Sequence, residues 1–416
     1  MLAILNDIGI TNKNKIEKKV MNFLFKDIKK YLLSLDWFLI ILVVLTTGYG
    51  LLLIKSATNS MDSNRAVVVQ FFAVCLGIGL MLFLAKIDYC HVLKYTKYLY
   101  ILAILGMVVV LIFGYGEKET GRGSWIRIPG IPIGIQPSEV VKILYIICFS
   151  KWINSIKENI NNPKNILLTL LYAGIIIGLI IIDNLGSALV FMFITAAMLF
   201  IAGLSLWYFL AFSVVFVALS PLIWSFMEDY QRQRILVMFN PELDPQGYGW
   251  QVLRSMHAIG SGGLTGAGFQ RGDITQRGLL SEQQTDFIYA TAGEEFGFLG
   301  ALLVLVLLGI LFIRILYISM KARNDVGSLI CIGVLSMFIG QSIVNIGMCL
   351  SMMPVIGITL PFFSYGGSSI ISCYMAIGLV LSVYSRRNIY YSNRGDDFDV
   401  SEDFFEDEPN PNKVGW

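Results

Sequence analysis

Charge is what this chain has least of: 14% of its residues are Asp, Glu, Lys or Arg, against roughly 25% in soluble domains, while 56% are hydrophobic. A water-solvated globule is thereby excluded. Histidine is scarcer still, two in 416 residues, and no second histidine or cysteine stands near His257 at a metal-ligand spacing. All six cysteines (Cys75, Cys90, Cys148, Cys331, Cys349, Cys373) fall in or beside apolar runs, so no disulfide framework is implied. Long polar and apolar alternations are missing, which argues against a β-barrel. Backbone in hydrocarbon must satisfy its own hydrogen bonds, so the remaining solution is a helical bundle. A Walker A loop is absent, and nothing calls for nucleic acid. A cleavable signal is absent too, because the first strongly apolar run begins near Trp37 behind a lysine-rich segment and continues as a full span.

What is there is an all-α integral membrane protein. Ten apolar runs are expected to cross the bilayer, at 37–55, 66–85, 98–114, 138–153, 166–182, 186–203, 206–225, 287–313, 328–350 and 364–384. Residues 1–36 carry seven lysines, and further cationic clusters follow spans two, four, eight and ten (Lys86 to Lys97, Lys151 to Lys164, Arg314 to Arg323, Arg386 to Arg394). With ten spans every cluster lies on one side, so both termini are expected in the cytoplasm and the large loop 226–286, between helices seven and eight, outside. Three regions follow. Residues 1–36 form a cytoplasmic segment in which 21–33 is an amphipathic candidate for the inner leaflet or an extended linker, and Met21 is an alternative start. Residues 37–385 form the polytopic domain. Residues 386–416 form an acidic cytoplasmic tail, with eight acidic residues among the thirteen from Asp396 to Glu408.

Three polar insertions are expected on the outer face. The first runs from Gly121-Arg122-Gly123-Ser124-Trp125 to Gln136-Pro137-Ser138-Glu139, and Pro137 suits the first turn of span four. Glu139 and Lys142 are then spaced i, i+3 on one face, either lining a wet cavity or bracing the span as an ion pair. Trp125 is equally an interfacial belt residue or a substrate contact. The second insertion is the large loop, with Tyr248-Gly249-Trp250-Gln251 and the glycine-dense stretch Gly260 to Gly268, where consecutive amides could cradle phosphate oxygens. It ends at Thr285-Asp286-Phe287. A carboxylate there either stabilises the start of span eight through the macrodipole or serves chemistry at the membrane edge. Glu294 and Glu295 lie within that span, and of the two Glu294, some 80° around the helix from Asp286, is expected to face a hydrated interior. The third insertion, Met353-Pro354 to Ser368-Ser369, holds two prolines, three glycines and three serines between 354 and 369, which implies a broken helix lining protein or water.

Read in order, Gly50 to Ala57, Ile135-Gln136-Pro137-Ser138-Glu139 with Lys142, the Asn240 to Gly268 loop, Thr285-Asp286-Phe287-Ile288 with Gly293-Glu294-Glu295-Phe296-Gly297, and Leu360 to Ser369 resemble the SEDS family (shape, elongation, division and sporulation) over roughly residues 36–386. Asn345-Ile346-Gly347-Met348 resembles its RodA branch. The resemblance implies a peptidoglycan glycosyltransferase that polymerises lipid II into glycan strands on the outer face of the bacterial cytoplasmic membrane, for elongation and cell shape. It implies Asp286 as catalytic base, taking the proton of the attacking 4-hydroxyl in an inverting transfer, and a class B penicillin-binding protein as partner beside membrane lipid. Arg65, Trp125, Glu139, Lys142, Arg234, Gln251 and Glu294 are the candidate substrate-binding residues, with Arg65, Lys142 and Arg234 placed to meet the pyrophosphate leaving group. No cofactor and no metal-ligand set is visible, and a divalent cation at the pyrophosphate is left open. Where the family usually has Gln-Pro-Asp, this chain has Ile182-Asp183-Asn184; Ser281 replaces a usual proline and Gln284 a frequent histidine. The competing class is a flippase or transporter of the lipid-linked precursor, which would concentrate its polar groups near the midplane.

Overall fold

A computed structural model describes residues 31–59, 64–115, 123–126, 134, 136–244 and 247–387. The interfacial candidate 21–33 and the acidic tail fall almost wholly outside those residues. The fold is all-helical, and the nearest approach to a strand among the described residues is an isolated antiparallel bridge between Tyr115 and Trp125.

Helices occupy all ten expected positions. They are α1 (Trp37–Ala57), α2 (Arg65–Lys86), α3 (Thr96–Phe113), α4 (Pro137–Ile156), α5 (Pro163–Asp183), α6 (Leu185–Ile201) and α7 (Leu206–Phe226), then, beyond two helices of the large loop, α8 (Asp229–Phe239) and α9 (Tyr248–Ser261), α10 (Ile288–Met320), α11 (Asp325–Cys349) and α12 (Gly367–Ser385). By length and composition eight of the ten are able to cross a membrane. The other two are α4, which carries Glu139, Lys142 and Lys151, and α6, which has 17 residues.

Local chemistry sets the ends. The Asp36 carboxylate caps α1 by accepting from Leu39 N at 2.9 Å, and it also pairs with Arg314 of α10 at 2.6 Å, so one buried group ties two helices. Asn162 with Pro163 at the first turn starts α5. Asn184 breaks the chain between α5 and α6 and caps α6 through Ser187 N at 2.9 Å. Asn324 caps α11 in the same way.

Small residues decide which helices touch. A Cβ added at Gly77 of α2 would sit 2.8 Å from the Tyr374 ring of α12, and one at Gly378 would sit 2.8 Å from Met81 O. The Tyr374 hydroxyl donates to Thr47 of α1 at 3.0 Å. The core therefore lies among α2, α4, α6, α11 and α12. α7 contributes no buried residue to it.

Candidate active site

The loop 226–286 is not the open polar linker that its glycines suggest. α8 and α9 fold within it, and residues 262–276 lie back along α10, which is broken at Gly297 (φ 65°, ψ −160°). The break lets Phe298 N and Leu299 N donate to Gly263 O and Leu264 O at 2.8 and 3.2 Å, while Ala267 N and Gly268 N donate to Glu294 O and Glu295 O at 3.0 Å. A Cβ at Gly266 would meet Glu295 O at 2.1 Å. These glycines serve backbone-to-backbone contact, so the expected amide cradle is turned toward the helix.

Glu294 departs from expectation for the same reason. It is 2% exposed, and its carboxylate accepts from Ile274 N at 2.7 Å, from Thr275 N at 2.9 Å and from the Thr275 hydroxyl. It anchors the loop where a hydrated interior was expected. Glu295 is likewise buried, taking Ser56 Oγ at 2.6 Å and Gln276 Nε2 at 2.8 Å. Of the two, only Glu294 was expected to face a hydrated interior, and folded chain, not water, covers both.

Asp286 is held differently. Residues 281–287 form turns in which Thr285 N and Asp286 N donate to Glu282 O, and the N-cap of α10 is Phe287, so Asp286 stands outside the first helical turn. The broken segment before α12 stitches this turn down. Ser364 Oγ donates to Thr285 O at 2.6 Å, Tyr365 N to Gln284 O at 2.8 Å, and the Asn345 amide to both Asp286 O and Ile358 O at 2.9 and 2.7 Å. The backbone is thereby fixed on both sides while the side chain stays half-buried. Its Oδ2 lies 3.4 Å from the place a Cβ would take at Gly357, whose φ of 66° favours glycine.

Gly357 borders a polar cleft. About 300 Å³ of space, part of it open to solvent, is lined by Gln136, Glu139, Lys142, Ser187, Gln341 and Thr359 together with Val190, Gly357 and Ile358. Lys142 Nζ donates to Glu139 Oε1 at 2.7 Å, and Ser372 Oγ of α12 donates to Glu139 Oε2 at 2.7 Å. Gln136 is pinned by its own N–H to Ser368 Oγ at 3.1 Å. Glu139 and Lys142 thus form an ion pair and also line the cleft; the two readings coexist.

The remaining candidates are not among the residues that line this cleft. Trp125 is half-buried in its bridge with Tyr115, and its ring and the Tyr115 hydroxyl each lie 3.1 Å from a Cβ at Gly134, just before Gln136. Arg65 is exposed at the start of α2 and acts on Tyr365, whose hydroxyl burial pushes up and the guanidinium pulls down. Arg234 lies over the Tyr230 ring on α8. Gln251 is half-buried on α9. Asp183 ends α5 with its Oδ2 buried and unbonded among the described residues, and Asn184 takes the helix-capping role next to it. Among the described residues no three His, Cys, Asp or Glu side chains gather as a metal set.

Sequence reading missed Gln341 and Ser372 and noted Asn345 only within a motif. Their signal was visible: a polar side chain in an apolar span faces protein or a cavity.

The FtsW/RodA/SpoVE cell cycle protein model matches residues 32–389. Stage V sporulation protein E of Bacillus subtilis is 34% identical over 85% of this chain and 98% of its own length. Peptidoglycan glycosyltransferase MrdB of Escherichia coli K12 is 33% identical over 85% and 95%. Among solved structures, a chain of a peptidoglycan synthase complex coordinating polymerization and crosslinking superposes with a TM-score of 0.74 at 28% identity, covering 85% of this chain and 98% of that one. The rod shape determining protein RodA of Thermus thermophilus superposes at 0.64 with 27% identity, covering 85% and 97%.

Proposed function

Because the chain belongs to the FtsW/RodA/SpoVE family of cell cycle proteins, we propose that Asp286 is the general base with which it polymerises lipid II on the outer face of the membrane. The protein is a peptidoglycan glycosyltransferase of cell-wall synthesis, a multi-pass protein of the bacterial inner membrane. Both termini are cytoplasmic and the α8–α9 loop is external in this reading, which the lysine and arginine distribution supports.

One observation carries the catalytic assignment: a carboxylate whose backbone is tied on both flanks projects beside Gly357 at the edge of a polar cleft. The attacking sugar hydroxyl loses its proton to Asp286 as it displaces the lipid pyrophosphate, with inversion at the donor's anomeric carbon. Rigid placement of the base matters as well as its basicity, since misplacement by about 1 Å can cost on the order of 100-fold. The partner is a class B penicillin-binding protein, supported by the similarity to a chain of a polymerizing and crosslinking complex. A role in elongation rests on the likeness of Asn345-Ile346-Gly347-Met348 to the RodA branch.

The test is incubation of the purified full-length protein, alone and with its partner, with purified lipid II. Glycan strands are expected. Absence of strands from a folded preparation under both conditions overturns the reading.

A further inference from the structure

Asp286 takes its place from α11 as much as from the helix it precedes. Its carbonyl lies outside the helical ladder of α10, and two side chains one turn apart on α11 meet it: Asn345 Nδ2 donates to Asp286 O at 2.9 Å, and the Cys349 thiol approaches the same oxygen at 3.7 Å. The Asn345 amide also donates to Ile358 O at 2.7 Å. An amide nitrogen carries two N–H groups, so both serve main-chain carbonyls of segments far apart in the chain. The end of α11 is itself braced, since Ser255 of α9 donates to Cys349 O at 2.9 Å and Ser351 donates to Met238 O of α8 at 3.3 Å.

The two carbonyls flank the space in which the base works. Ile358 follows Gly357, and Asp286 Oδ2 stands 3.4 Å from the place a Cβ would take at Gly357. One side chain therefore sets the separation between the turn that bears the carboxylate and the segment that faces it. Asn345 is wholly buried in an apolar helix, and its Oδ1 has no hydrogen-bond partner among the described residues. Burying an amide with one end unmet is costly, and an apolar side chain would fill the same space without that cost. The N–H pair is what the position requires.

We infer that Asn345 is a positioning residue for the glycosyl transfer: through the Asp286 and Ile358 carbonyls it holds the carboxylate at the separation from Gly357 that the attacking hydroxyl needs, and it touches neither the substrate nor the reacting atoms. This rests on the reading of Asp286 as base. A base displaced by about 1 Å can cost on the order of 100-fold in rate. An interaction that matters only in the transition state lowers kcat and leaves KM unchanged.

The experiment measures lipid II polymerisation by the full-length protein as wild type, Asn345→Leu, Asp286→Asn and the double variant. Asn345→Leu keeps the branched shape and removes both N–H donors; its kcat should fall about 30-fold to 100-fold with KM within about twofold of wild type. On the Asp286→Asn background the same change should lower the residual rate by less than about twofold, because no base is left to position. A residue needed only for the fold would reduce both backgrounds alike, so equal losses overturn the inference. An unchanged kcat, or a raised KM with kcat intact, overturns it too. Asn345→Gln keeps the two N–H groups but moves them by one methylene, and should fold and lose about tenfold in kcat at unchanged KM. Failure of both single variants at Asn345 to fold would make it a folding residue and refute the assignment. Full activity of Asp286→Asn alone would remove the base reading and the inference with it, a result distinct from all the others.

Discussion

α12 and α7 are both long apolar helices, yet 83% of the most apolar stretch of α12 lies inside the protein while α7 has no buried residue at all. Hydropathy runs against burial here, since the helix left outside is the more apolar of the two. α12 presents Gly367, Ser368, Ser369, Ser372, Cys373, Ala376, Gly378 and Ser382, which let α2 and α4 approach to backbone distance and exchange hydrogen bonds. α7 presents Trp207, Phe212, Val214, Val215, Phe216, Val217 and Trp224, bulky side chains that lipid solvates as well as protein does. It is tied at its ends, where the Tyr208 hydroxyl donates to Asn161 O at 3.0 Å and Arg232 of α8 donates to Trp224 O and Ser225 O at 3.0 Å. In a bilayer, apolarity decides what enters and small polar residues decide what packs, and the candidate site is built on the packed side.

Four substitutions break or sharpen that contrast. The largest effect is expected at Asp286→Asn, which alters chemistry on the packed side without altering packing: lipid II turnover should fall about 100-fold to 10,000-fold at matched protein level, with the melting temperature unchanged. Retention of more than about half the activity would refute the base. Next comes Lys142→Met, which leaves Glu139 buried without its partner and should cost about 3–5 kcal/mol in thermal unfolding in detergent; adding Glu139→Gln should recover much of it, and a cycle showing no coupling would contradict the pair. Gly378→Leu drives a side chain into the Met81 carbonyl and should cost about 1–3 kcal/mol by the same measurement. The smallest is Val214→Ala on α7, expected within about 0.5 kcal/mol of wild type. A loss there as large as at Gly378 would mean that α7 packs.

Much of this was legible in advance because the bilayer simplifies the problem. Apolar run length placed helices at all ten positions, and Pro137 with the i, i+3 spacing placed Glu139 and Lys142 together on α4. Two things were not legible. Glu294 alone reads as facing a hydrated interior, and only tertiary structure shows that Thr275 meets that carboxylate, as Ser56 meets that of Glu295. Gln341 was passed over because one amide in an apolar span satisfies no short motif; it becomes informative once Glu139 and Gly357 arrive from α4 and the broken segment.

The break at Gly297 has a mechanical consequence. Four amides cross between the loop and α10, those of Ala267, Gly268, Phe298 and Leu299, so neither element can open without breaking the other's backbone bonds. The glycine-rich stretch and the part of α10 around Gly297 should behave as one cooperative unit, exchanging their amide hydrogens together and far more slowly than a surface loop of that composition would. Force applied to the loop would then be passed directly to α10, the helix that begins two residues after Asp286.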